Sequence, residues 1–108
     1  MLTVPSSASR LPQTRMTGTF DSGGGLLKLT PAGGTYEYAN GRLAVDKIDG
    51  TVMEGVWTQD SSGQQCKDGG YHGRFRLTFT ETGFTGLFGY CDEPPAAQGG
   101  FYGTRRRN

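Results

Sequence analysis

The sequence predicts an all-β, single-domain fold. The expected form is an antiparallel up-and-down β-barrel, or a strongly coiled meander that nearly closes, of about eight short strands. Three observations lead there. A five-residue phrase, large apolar, any residue, glycine, any residue, large apolar, recurs as Met16–Phe20, Met53–Trp57, Tyr71–Phe75 and Phe84–Phe88. A fifth copy, Phe101–Arg105, changes the last place. In an extended strand positions i, i+2 and i+4 share one face, so each phrase puts two bulky side chains on the inner side with a bare glycine between them. Such a glycine marks a tight bend or a close backbone approach. The second observation is composition: 19 of 108 residues are glycine, and no stretch sustains the 3.6-residue apolar period of a helix. The third is punctuation, with Asn40-Gly41 and Asp49-Gly50 standing where two-residue hairpins take positive φ.

In chain order, residues 1–15 are rich in Ser, Pro and Thr without a period and read as a flexible N-terminal arm. Residues 16–105 form the barrel domain and 106–108 a basic C-terminal tail. Strands are expected at 16–20, 26–30, 35–39, 42–48, 51–58, 71–80, 83–91 and 100–105, separated by glycine-rich breakers. The clearest is 71–80. There Tyr71, Gly73, Phe75, Leu77 and Phe79 alternate with His72, Arg74, Arg76, Thr78 and Thr80, the pattern of a strand with one buried and one wet face. Its successor repeats this with Phe84, Gly86, Phe88 and Tyr90 inside. The phrases begin 37, 18, 13 and 17 residues apart, so no fixed period supports a stacked repeat array. Tyr36–Gly41 and Asp49–Trp57 resemble pieces of membrane-occupation-and-recognition-nexus repeats, but out of register.

The formal charge is +1, from 11 Lys and Arg against 10 Asp and Glu. Without Arg105, Arg106 and Arg107, 8 positive side chains face 10 negative ones, which is not the balance of a dedicated nucleic-acid binder. No apolar run approaches the ~20 residues of a membrane helix, so no membrane association is expected. Met1 to Gln13 carries no signal-peptide pattern. The default compartment is the cytoplasm, or a secreted or periplasmic one if a signal has been removed.

Met16–Phe20 and Gly34–Glu37 resemble the Thr-Gly-Thr-aromatic strands of the avidin and streptavidin family. That likeness implies an eight-stranded up-and-down barrel with a ligand site in its mouth. The biotin site is not carried over. The family walls it with several tryptophans, whereas this chain has only Trp57, and Asp21–Gly25 does not match the family's polar loop. The arm Ser6–Pro12 ahead of a small barrel is similar to bacterial inhibitors of metalloproteases, which plug their enzyme with such a segment.

The inner aromatics read first as core, since short strands leave little spare volume. If a pocket exists, Tyr36, Tyr38 and Trp57 form its apolar rim, with Phe75 and Phe88 also lining it. Cys66 and Cys91 permit a disulfide, which would close a 26-residue segment and add about 3 kcal/mol. With His72 and Asp92 they also offer metal-ligand types, but without the close-paired spacing of a structural zinc site, so no metal site is read. His72, Arg74 and Arg76 share an outer face that either contacts phosphates or is compensated by Glu54 or Glu81 across the strands.

For catalysis the chain offers one histidine and no nucleophile elbow, phosphate loop or metalloprotease helix. The function expected is therefore a non-enzymatic binding module for a protein or a small apolar ligand, with no cofactor. Alternatives are an inhibitor acting through residues 1–15 and a weak nucleic-acid binder acting through the outer arginines. The loops 60–70 and 92–99 are the expected recognition elements for a protein partner.

Overall fold

The structure, a computed structural model, describes residues 15–106, with the backbone alone for 96–100. The proposed arm, apart from Arg15, and the tail residues Arg107 and Asn108 lie outside the described residues. Eight strands follow in order: β1 (Gly18–Ser22), β2 (Gly25–Thr30), β3 (Gly33–Tyr36), β4 (Gly41–Asp49), β5 (Val52–Gln59), β6 (Tyr71–Phe79), β7 (Gly83–Phe88) and β8 (Ala96–Arg105). Each runs antiparallel to the next, and β8 pairs back on β1 through Phe20↔Arg105, Asp21↔Thr104 and Ser22↔Gly103. The sheet is a closed up-and-down barrel. Among the described residues no helix is long and apolar enough to cross a membrane.

Alternation places the core. On β6, Gly73, Phe75, Leu77 and Phe79 are buried while Arg76 and Thr78 are exposed, and β5 buries Met53, Gly55 and Trp57. The glycines of the repeated phrase stand where a neighbour comes close, either backbone (Gly55, Gly73) or a side chain (Arg105 at Gly18, Phe84 at Gly103). A Cβ on Gly55 would strike the Ala44 carbonyl, and one on Gly73 the Gly89 carbonyl. At one end of the barrel the interior is filled. Met16, Phe20, Leu27, Met53 and Leu77 are fully buried, and the rings of Phe20, Phe79 and Phe84 meet at centroid distances of 5.3 to 6.0 Å.

Arg105 closes that end. Its guanidinium lies 5.0 Å from the Phe20 ring centroid, donates to the Thr17 carbonyl at 2.8 Å and also donates to the Arg15 carbonyl. The altered last place of the fifth phrase is thus an inward position, filled by a cation that stacks on an aromatic face and donates to backbone carbonyls.

Several boundaries differ from expectation. β8 begins at Ala96 and not at 100, its backbone pairing with β7 at Phe88, so the loop expected at 92–99 is strand from Ala96 on. β1 begins at Gly18, and Met16 folds beneath the barrel end instead of pairing. β3 stops at Tyr36, and Tyr38–Asn40 form a 3-10 turn with Ala39 at φ 50° and Asn40 at φ 54°. Gly41 is extended at φ −70°, so it supplies no positive φ. It is required because the Tyr36 ring occupies the space a Cβ would take. β7 ends at Phe88; Gly89 and Cys91 still donate to Arg74 and His72 of β6, and the chain turns away at Cys91, which has φ 60° and is held in a disulfide. The other turn pair behaves more nearly as expected: Gly50, at φ 63°, opens the two-residue connection between Asp49 and Val52.

Candidate functional site

The opposite end of the barrel, where β1–β2, β3–β4, β5–β6 and β7–β8 are joined, is not filled. A cavity of about 250 Å³ opens there, lined by Gly23, Gly24, Tyr36, Tyr38, Leu43, Trp57, Gln59, Ser62, Gly63, Phe75, Phe88, Tyr90 and Phe101. The five residues singled out in the sequence, Tyr36, Tyr38, Trp57, Phe75 and Phe88, all line this one space. Their depths differ from expectation. Phe75 is 1% exposed, Trp57 4% and Tyr36 8%, so Trp57 and Tyr36 are deep wall and not rim. Tyr38, on the 3-10 turn, is 59% exposed and stands at the mouth. Met16, Phe20, Met53, Trp57, Phe75, Phe79 and Phe84 belong to one buried core with Phe88 and Tyr90 packed on it, as read from the sequence, and of these Trp57, Phe75, Phe88 and Tyr90 also line the cavity.

The aromatic wall is rigid for identifiable reasons. The Trp57 indole N–H donates to the Gly89 carbonyl at 3.0 Å, giving a buried donor its partner. Its ring meets Phe88 at 6.2 Å and Tyr90 at 5.8 Å, both near-perpendicular, and Phe88 meets Tyr90 at 5.6 Å in the same manner. Edge-to-face pairs of this kind add to area burial. On the other side Tyr36 packs on Phe101 at 6.1 Å.

Into this apolar wall project a phenol and a carboxamide. The Tyr36 hydroxyl donates to Gln59 Oε1, and Gln59 Nε2 donates to the Ser61 carbonyl at 2.7 Å. Burial pushes the Tyr36 phenol well above its usual pKa, so it remains a neutral donor. Among the described residues that line it there is no Asp, Glu, Lys, Arg or His. Gln59 was missed in the sequence, although it lies two residues beyond Trp57 on the same strand face. Leu43, Phe101 and the glycine rim carried no signal separable from ordinary core or turn.

Cys66 and Cys91 are joined in a disulfide with their Cα atoms 5.5 Å apart, a separation typical of the bond. This decides among the open alternatives of disulfide, free thiols and metal ligands. The bridge ties the 60–70 loop to the segment after β7, and backbone bonds from Cys66 N–H to Gly70 O and from Cys91 N–H to His72 O extend the tie. Ser62, Gly63 and Tyr90, on the two tethered segments, form one side of the mouth. Among the described residues no group of three His, Cys, Asp or Glu side chains is placed to hold a metal.

The outer stripe on β6 is charge-compensated. Arg74 makes a bidentate pair with Asp46 at 2.9 and 3.0 Å, Arg76 donates to Glu54 at 2.7 Å, and His72 lies 3.0 Å from Asp68. Asp46 sits where the β4–β5 register shifts, and that bulge brings its carboxylate across β5 to Arg74. Glu54 is the partner anticipated across the strands, whereas Glu81 lies beside Arg15 at 3.9 Å. Arg106 lies 3.8 Å from Asp21. Arg74 and Arg76 are thus each engaged by a carboxylate. No protein-family model, no curated protein and no solved structure matches this chain.

Proposed function

We propose that this chain is a non-enzymatic binding protein that holds a small, neutral, largely aromatic ligand in the mouth of its barrel. The observation that carries the reading is the cavity of about 250 Å³, walled by Tyr36, Trp57, Phe75, Phe88 and Phe101, with no charged side chain among the described residues that line it. Concave, mostly apolar sites with a few placed polar groups are the usual form of small-molecule pockets, and those run from about 300 to 1,000 Å³. At roughly 30 Å³ per water-sized unit this one admits about eight such units, or one ring with a short substituent. A charged ligand would lose its hydration without finding a counter-ion.

The architecture and the position of the pocket parallel the avidin and streptavidin likeness, while a single tryptophan gives no reason to carry over its ligand. The disulfide supports an oxidising compartment, outside the reducing cytosol. Nothing in the pairing of Arg74 and Arg76 favours nucleic acid over this reading.

The test is an NMR titration with one-ring neutral aromatics, phenol and benzyl alcohol among them, following the backbone amides and the Trp57 indole N–H. Saturable shifts confined to Trp57, Gly63, Gly89 and their neighbours support the proposal. Shifts that stay linear, or that scatter over the outer strand faces, refute it.

A further inference from the structure

Resting on the reading of the mouth as a ligand site, we infer that Tyr36 and Gln59 are a specificity-determining pair that selects a neutral single-ring carboxamide or lactam over a ketone or hydrocarbon of the same shape. Other candidates carry less. The far end of the barrel is filled and capped by Arg105. The outer depression between Lys47 and Thr78 is lined by the Arg76–Glu54 pair, whose charges already neutralise one another.

The carboxamide has one defined orientation. The Ser61 carbonyl can only accept, so the atom 2.7 Å from it must be the amide nitrogen. The oxygen is then the atom facing Tyr36, whose protonated hydroxyl donates to it. A flipped amide would set its oxygen against the Ser61 carbonyl. The bonds already made leave one N–H on Gln59 Nε2, one lone-pair direction on Oε1 and the lone pairs of the Tyr36 hydroxyl oxygen. A donor and acceptors thus stand side by side in the wall.

The neighbouring Trp57 N–H is already committed to Gly89, so it does not compete. An amide on the ligand matches this arrangement reciprocally: its N–H donates to Gln59 Oε1 or to the Tyr36 oxygen, and its carbonyl accepts from Nε2. A ketone leaves the acceptors unpaired, and a hydrocarbon leaves both kinds unpaired. Sites built to hydrogen-bond a group discriminate strongly against analogues that lack it, because the site's own polar atoms are then desolvated without partners.

The experiment measures dissociation constants of benzamide, acetophenone and benzoate for the full chain by the shift of the Trp57 indole N–H. It is repeated in Gln59→Leu and Tyr36→Phe, with thermal melts to establish folding. Benzamide is expected to bind about tenfold more tightly than acetophenone, and Gln59→Leu to bring the two within about twofold. Tyr36→Phe keeps the ring and reads the same preference if Gln59→Leu fails to fold. Benzoate is expected to bind at least about tenfold more weakly than benzamide.

Equal affinities of benzamide and acetophenone in the wild type overturn the role of the pair while leaving the cavity reading intact. A preference that survives in both variants does the same. Tight benzoate binding overturns the restriction to neutral ligands. Failure of all three to bind removes the cavity reading, and this inference with it.

Discussion

Replacing Gly73 by alanine tests whether the glycines of the repeated phrase are there for space. Gly73 is buried on β6 and lies outside the positive-φ set, so alanine meets no backbone penalty and the effect is steric alone. Its Cβ would overlap the Gly89 carbonyl oxygen and lie 2.8 Å from Trp57 Nε1, where ordinary contact begins at 3.4 Å. The segment after β7 must move off β6, and the atom that moves is the acceptor of the buried Trp57 indole bond. Overpacking of this kind costs about 1–3 kcal/mol, and a stranded buried donor about another 1–3 kcal/mol.

The expected loss is about 4 kcal/mol, a large share of the 5–15 kcal/mol that holds a domain of this kind. It corresponds to a Tm lower by roughly 15–30 °C. Urea unfolding followed by circular dichroism and by the fluorescence of Trp57, the single tryptophan, measures it. Gly23→Ala is the control: a Cβ there meets nothing within 4 Å, and its stability should stay within about 0.5 kcal/mol of the wild type. If Gly73→Ala is equally harmless, with an unchanged m-value, the close-approach argument for the phrase is wrong.

Two further outcomes are expected. Reducing Cys66–Cys91, or replacing both cysteines by alanine, should lower stability by about 3 kcal/mol for a bridge spanning 25 positions. The shift in urea midpoint with and without reductant measures this, and no shift would refute it. The Arg74 hydrogen bonds hold the Asp46 carboxyl below the usual carboxylate range. The backbone N–H of Gly70, followed by His72, does the same for Asp68. Their stabilisation is present above the unfolded carboxylate pKa of about 4 and is lost as pH falls through the lower folded values. Asp46→Asn should therefore flatten part of the decline in urea midpoint below about pH 4 and, as an exposed pair, cost at most about 1 kcal/mol at neutral pH. An unaltered pH profile would show that the Arg74–Asp46 bridge contributes nothing in solution.

The closed eight-strand barrel was legible because its signals are local. Alternation on 71–80 assigns an inner and an outer face without reference to any other part of the chain, and the inward aromatics named from it line one cavity or fill one core. Where an end effect intervened, the reading slipped. Tyr38 continues the alternation of Tyr36 on paper, but the chain leaves the sheet there, so an expected strand residue became an exposed rim residue. Gly41 looked like a turn glycine by its neighbour Asn40. It is explained instead by the Tyr36 ring, which packs over it.

What remained for tertiary structure to decide is what depends on distant parts of the chain. Gln59 acquires its role only because Tyr36, 23 positions away, aims a hydroxyl at it. Asp46 pairs with Arg74, 28 positions away, through a bulge. Trp57 finds its acceptor at Gly89, 32 positions on. The sequence by itself determined the fold class and the inward residues, since a period of two is a property of neighbours along one strand. Whether those residues fill the barrel or leave an opening was decided by how eight strands close together, because a void is defined by all the atoms that fail to reach it.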